Sequence, residues 1–100
     1  MTMTLHVPGA SPAEIARGLA AAYAVLARVG VTPLQAAEAL FKRDGWAALG
    51  YPDGGQPSPI EFAAADAFDV AEEAAILACC AGWASVPDDA NLRVLPDEAS

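Results

Sequence analysis

Residues 58–81 read SPIEFAAADAFDVAEEAAILACCA, and this run specifies a helix from its first residue. The tetrapeptide Ser58-Pro59-Ile60-Glu61 places a capping hydroxyl first, proline at the first helical position and an acid three residues after the cap. Together these residues satisfy the free N–H groups of a helix start. No glycine or further proline follows before Gly82. The run therefore predicts helical structure from Pro59 to about Ala81, as one helix or as two helices divided near Asp66.

The same start signal occurs twice more, at Ser11-Pro12-Ala13-Glu14 and at Thr32-Pro33-Leu34-Gln35. Each opens an alanine-rich run, so three helices with defined first residues are predicted. The first is expected to run from Pro12 to about Arg28 and the second from Pro33 to about Asp44, each followed by a terminating glycine, Gly30 and Gly45 respectively. One more helical turn over Trp46 to Leu49 is left open. The short connection between them implies a helical hairpin or a steep corner.

The composition predicts a shallow, closely packed core. Alanine supplies 25 of the 100 residues, so helix surfaces are thin and axes can approach toward the short end of the roughly 8–10 Å range. Most of the bulk is expected from aromatic side chains, which bury about 150–250 Å² each; these are Phe41, Trp46, Phe62, Phe68 and Trp83.

The remaining segments complete the predicted architecture. Residues 50–57, rich in glycine and proline, are expected to form a surface loop. The two ends, Thr2 to Val7 and Asn91 to Leu95, have weak extended patterns, which leave open a short paired ribbon or two separate arms. The predicted fold class is therefore all-α: a single domain over residues 1–100, built as a small bundle of three to five helices.

The charge is unevenly distributed along the chain. The net charge is -8, with thirteen acidic residues against five basic ones. Residues 51–100 contain ten of the acidic and one of the basic residues. Direct binding to a phosphate backbone is disfavoured by this balance, and a basic protein partner is favoured.

Membrane insertion and secretion are not expected. The longest charge-free run, Ala74 to Pro87, has fourteen residues, which is shorter than the roughly 20 that span a bilayer. The first eight residues lack the basic start and the apolar run of a signal peptide. Adjacent Cys79 and Cys80 are poorly placed for a disulfide and are expected as free packing thiols. The sequence thus predicts a cytoplasmic protein.

No catalytic or cofactor motif is found. His6 is the one histidine, and in a terminal segment it is expected to be a surface residue. The cysteine pair lacks the spacing of a metal site, and no glycine-rich phosphate loop occurs. We therefore predict no enzymatic activity, no metal and no cofactor.

The rhythm of Pro33 to Leu40 is typical of a helix-turn-helix motif, with positive charge from Arg28, Lys42 and Arg43. Three bases give a weak phosphate footprint, however, and the acidic second half would repel a duplex. A small DNA-binding regulator thus stays as an alternative.

Five carboxylates recur in the third helical region. At about 100° per residue, they share an arc of about 140° on an unbroken helix and extend over about 18 Å; they are Glu61, Asp66, Asp69, Glu72 and Glu73. Their axial spacing is close to that of phosphates along one nucleic-acid strand. Phe62 lies in the same arc and is a candidate apolar anchor. The arc is either a solvated face or a partner-binding site formed by these six residues.

The chain resembles the phage-encoded anti-CRISPR proteins that inhibit type I-F systems. The resemblance covers the whole chain, through its small acidic helical character and the opening Met1-Thr2-Met3-Thr4-Leu5-His6-Val7-Pro8-Gly9-Ala10, and not through a diagnostic motif. It implies a stoichiometric inhibitor that binds the RNA-guided surveillance complex and prevents hybridisation to target DNA. RNA-guided effectors hold their heteroduplex in a positively charged channel.

The leading prediction is therefore a monomeric, non-enzymatic inhibitor. Its acidic third region is expected to bind a basic nucleic-acid path of the surveillance complex, without contacting nucleic acid or a membrane itself. An acidic antitoxin-like or phage assembly module that binds another basic protein is the first alternative, and the DNA-binding regulator is the second.

Overall fold

The computed structural model describes residues 2–49 and 57–95. In chain order the elements are β1 (Thr2–His6), α1 (Pro12–Val29), α2 (Pro33–Leu49), α3 (Pro59–Cys79) and β2 (Asn91–Leu95). The predicted loop after Gly50 and the core role of the Trp46 side chain lie outside what is described.

All three predicted helix starts are confirmed. In each, the hydroxyl of the capping residue accepts from the backbone N–H three residues on, and the Glu or Gln there accepts from the N–H of the capping residue. The pairs are Ser11 with Glu14, Thr32 with Gln35 and Ser58 with Glu61. Local sequence therefore determines where each helix begins.

The connection between α1 and α2 is a steep corner. Gly30 ends α1 in the left-handed conformation, with φ of 83°, and its N–H donates to the carbonyls of Leu26 and Ala27. The two helix axes then differ in direction by 81°. Of the two alternatives left open, the structure has the corner and not the hairpin.

Helix α2 differs from its prediction in its length and in which of its sides packs against the core. It continues through Gly45 to Leu49, so the predicted stop at Gly45 is wrong. A helical glycine costs only about 1 kcal/mol relative to alanine, so one glycine alone does not end a helix. Phe41 is 84% exposed and not a core residue. The side of α2 that packs is formed by small residues, with Ala36 and Ala39 buried.

Helix α3 is a single unbroken helix of 21 residues. The alternative of a division near Asp66 is wrong, because the carboxylates of Asp66 and Asp69 accept from Arg43 on α2 and do not cap a new helix start.

The fold is largely helical but not purely all-α, because the terminal segments form a ribbon. Strands β1 and β2 pair antiparallel, with Leu5 opposite Leu92 and Met3 opposite Val94. Met3, Leu5, Val7 and Leu92 are buried on the helices, which gives the ribbon the apolar contact that an isolated two-stranded sheet lacks. This corrects the predicted fold class and resolves the question of ribbon or arms.

The main core lies where α1 crosses α3. Small residues line the crossing on both helices, and Gly18, Ala22, Ala71, Ala75 and Cys79 are all buried there. An added Cβ on Gly18 would lie 2.7 Å from the carbonyl oxygen of Ala75, so the glycine allows the close approach. Phe68 is buried, as predicted, while Trp83 and Phe62 are half-buried.

Residues on α1 also hold the end of α3 and the segment after it. The Arg17 guanidinium donates to the carbonyl oxygens of Ala78 and Cys79, at 2.6 and 3.2 Å. The indole N–H of Trp83 donates to Glu14 at 2.8 Å. The two bonds from Arg17 satisfy carbonyls that a helix end leaves free, and the bond from Trp83 ties the segment after α3 to the start of α1.

Both cysteines are buried and unbridged. Burial raises the pKa of the Cys79 thiol above its ordinary value, as expected for a packing residue. No single helix in the described ranges is both long and apolar enough to cross a membrane, although the bent pair of α1 and α2 passes the same test of length and composition.

Candidate functional site

Helix α3 has one face in the core and one in solvent. Its buried side is formed by alanines with Phe68 and Cys79. On the opposite side, the five residues Asp66, Asp69, Val70, Glu73 and Leu77 are exposed. We call these five residues the outward face of α3.

Glu61 lies at the edge of the core and not on the outward face. Its carboxylate accepts from the Ser58 N–H at 2.9 Å and pairs with Lys42 on α2, with 2.9 Å between Lys42 Nζ and Glu61 Oε2. The cap and Lys42 lower the pKa of Glu61. The start signal at Ser58 already assigned this carboxylate to the cap, so its first partner could be predicted from sequence.

Asp66 and Asp69 share one cation. Arg43 donates from Nη1 to Asp66 Oδ1 at 3.0 Å and from Nη2 to Asp69 Oδ2 at 2.9 Å. Its Nε is 3.2 Å from Asp44. The hydrogen bond to Asp69 raises the pKa of Arg43, which keeps the guanidinium charged. The cluster therefore has one positive charge against the three carboxylates of Asp44, Asp66 and Asp69.

Glu72 is half-buried and bonded to the terminal ribbon. Its Oε2 accepts from the Leu92 N–H of β2 at 3.1 Å. The prediction of five solvent-facing carboxylates in one stripe is therefore wrong for Glu61 and Glu72. Both lie on the edge of the arc nearest the fully buried Ala65 and Cys79.

Glu73 is exposed, and no hydrogen bond or ion pair holds its carboxylate within the described part of the chain. It lies between two exposed apolar residues of α3, Val70 at 53% and Leu77 at 60%. Phe62, the predicted anchor, is half-buried near the start of the helix. Whether these residues contact a partner stays a prediction.

A shallow groove of about 410 Å³ lies beside the second half of α3. It is formed between the helix and the segment that leads to β2, and its lining is Asp69, Glu72, Glu73, Ile76, Leu77 and Val86. Val86 is 44% exposed. Sequence analysis missed Leu77 and Val86 as site residues. The helical phase of Leu77, close to that of Val70, was a usable signal, but Val86 joins the groove only through the fold.

A second groove of about 490 Å³ lies between α2 and the start of α3. Ile60 in its lining is 80% exposed, and Glu38 is exposed without a partner within residues 2–49 and 57–95. Unlike the first groove, this one is lined by a cation, Lys42, which is paired with Glu61.

The structure bears on the DNA-binding alternative in two opposite ways. The 81° corner between α1 and α2 resembles a helix-turn-helix. However, Lys42 and Arg43 are both paired with carboxylates of α3, and Glu38 is exposed on α2. Two of the three bases named for phosphate contacts are therefore already engaged within the protein, and Arg28 is the third, exposed on α1.

Within the described ranges, no group of three or more His, Cys, Asp or Glu residues is placed to hold a metal ion. His6 is exposed, with its Nε2 at 3.3 Å from Asp89. Comparison with protein-family models, with curated proteins and with solved structures gave no match.

Proposed function

We propose that this chain is a monomeric, non-enzymatic binding protein that places the outward face of α3 against a basic, nucleic-acid-binding surface of a larger protein assembly. The first partner proposed is a type I-F CRISPR surveillance complex in the cytoplasm of a phage-infected bacterium. The bound protein would block hybridisation of that complex to target DNA.

The observation that carries the proposal is the charge of the outward face. Asp66, Asp69 and Glu73 are exposed on one side of α3, and Arg43 is the cation paired with two of them in the described part of the chain. The face is thus net negative over about 10 Å of helix. Such a patch attracts a positively charged surface and orients its approach.

The test is charge reversal at Glu73. An exposed ion pair contributes about 0.2–1 kcal/mol, and reversal replaces that attraction by a repulsion of similar size. Glu73→Lys is therefore expected to weaken binding to the purified surveillance complex about 2–30-fold. Biolayer interferometry at low and physiological salt measures the effect, and the affinity of the original protein should fall as salt rises.

The matched control is Glu38→Lys, which makes the same charge change at an exposed, unpaired glutamate of α2. It is expected to leave the affinity nearly unchanged. Equal losses for the two variants would show that only net charge matters. Absence of binding by the original protein would exclude the surveillance complex as the partner.

The alternatives give different results in the same experiment. An antitoxin-like or phage assembly module would use the same face on another basic protein and leave the surveillance complex unbound. A DNA-binding regulator is favoured by the 81° corner, but it would have to break the ion pairs of Lys42 and Arg43 before either base reached a phosphate. We therefore place it second.

A further inference from the structure

We infer that the groove beside α3 receives a basic peptide segment of the partner, with aliphatic stems against Leu77 and Val86 and cationic head groups at Glu73. This inference rests on the proposed function, since it specifies the chemistry that the same surface accepts.

The groove offers an apolar floor to such a segment. Leu77 and Val86 are 60% and 44% exposed, and Ile76 lies half-buried between them and the core. Val70 lies about two helical turns before Leu77 on the outward face. It is 53% exposed and extends the apolar surface. Lysine and arginine bury their hydrocarbon stems on surfaces of this kind while the charged head stays in water.

The charges around the groove favour a cationic occupant over a neutral one. Among the residues that the structure describes, three carboxylates line it and no lysine or arginine does. Asp69 shares Arg43, and one oxygen of Glu72 accepts from Leu92, so Glu73 is the carboxylate left for a new cation. The second groove lacks this complementarity because Lys42 lines it.

The size of the groove limits what enters it. A volume of about 410 Å³ in an open, shallow depression accepts a few side chains of an extended or helical segment. The occupant is therefore a short segment with at least one basic and one apolar side chain. The residues of the partner that flank this segment would contact the acidic outward face.

Two fluorescein-labelled peptides of equal charge test the inference by fluorescence anisotropy: one alternates arginine with leucine, the other arginine with glycine. The arginine–leucine peptide is expected to bind more tightly. Leu77→Ser is expected to weaken its binding about tenfold, or ~1.4 kcal/mol. Glu73→Gln removes one exposed ion pair and is expected to weaken it up to about fivefold. The arginine–glycine peptide should respond to Glu73→Gln to the same extent but less to Leu77→Ser, because only its arginine stems contact the apolar floor.

The second groove supplies matched controls. Ile60→Ser and Glu38→Gln make comparable changes at an exposed aliphatic residue and an exposed glutamate, and they should alter the affinity less than about twofold. All four positions are solvent-exposed, so the variants should fold, and far-UV circular dichroism verifies this.

Equal affinity for the two peptides, or equal losses in the control variants, would overturn the inference. So would dimerisation that Leu77→Ser abolishes in the absence of peptide, since a second copy would then occupy the groove. Failure of the proposed function is separable. If the surveillance complex binds through Glu73 but is insensitive to Leu77→Ser, the groove inference fails and the proposed function stands. If the peptide binds but the complex does not, the proposed partner fails and the groove inference stands.

Discussion

Replacing Gly18 by alanine is expected to destabilise this protein, although the same change stabilises most helices. An added Cβ would lie 2.5 Å from Leu5 Cδ2, 2.7 Å from the Ala75 carbonyl oxygen and 3.1 Å from Cys79 Cβ. The Leu5 side chain can rotate away. The two atoms of α3 cannot, so α1 and α3 would have to separate.

The magnitude follows from two opposing effects. Alanine gains about 0.8–1 kcal/mol over glycine in a helix, while overpacking a closely packed site costs about 1–3 kcal/mol. Contact with a backbone oxygen places the cost near its upper end, so the net loss is about 2 kcal/mol. For a domain of this size, that loss lowers Tm by roughly 8–16 °C.

Gly45→Ala in α2 is the matched control, because no atom of the described residues lies within 4 Å of its added Cβ. It is expected to raise Tm by roughly 4–8 °C through helix propensity alone. Thermal denaturation followed by far-UV circular dichroism measures both variants. A Gly18→Ala variant as stable as Gly45→Ala would refute the close crossing of α1 and α3.

Two further predictions concern contacts made by α1. Arg17→Glu should cost about 1–3 kcal/mol in urea denaturation, because it removes charged hydrogen bonds to the carbonyls at the end of α3; Arg28→Glu, an exposed reversal on the same helix, should cost much less. Hydrogen bonds from Ser11 and then from Trp83 lower the pKa of Glu14 below its ordinary value of 4.5. The stability that ionised Glu14 contributes is therefore complete above the unfolded-state pKa and lost as pH falls through the folded-state pKa. Glu14→Gln should flatten the fall of the urea midpoint below about pH 4.5; an unchanged slope would mean that other carboxylates determine it.

The predictable part of the fold is the part governed by neighbours in sequence. A helix start is decided within four residues, so the three capped tetrapeptides located α1, α2 and α3 correctly. The end of α2 was misplaced because a single glycine in a helix costs only about 1 kcal/mol relative to alanine, which is too weak a signal to end a helix. The terminal ribbon joins residues almost a whole chain apart, and its five-residue strands are too short to be distinguished from mobile arms by pattern alone.

The same division applies to the candidate site. Helical periodicity correctly placed Asp66, Asp69 and Glu73 on one side of α3. It could not reveal that Glu72 reaches the backbone of β2 or that Arg43 approaches from α2, because both partners come from distant parts of the sequence. The groove depends on Val86, which no helical phase relates to Leu77.

The hydrogen bond from Leu92 to Glu72 has a consequence for self-association. A two-stranded ribbon has two open edges, and unpaired amides on such edges can recruit strands from other molecules. Here the Leu92 N–H on one edge donates to Glu72, and the Met3 N–H on the other donates to the Tyr23 hydroxyl at 3.4 Å. Each edge thus has an amide occupied by a helix side chain, which interrupts the row of donors that an added strand would need. Loss of the Glu72 carboxylate would expose a strand edge, so a variant at this position tests aggregation as well as binding.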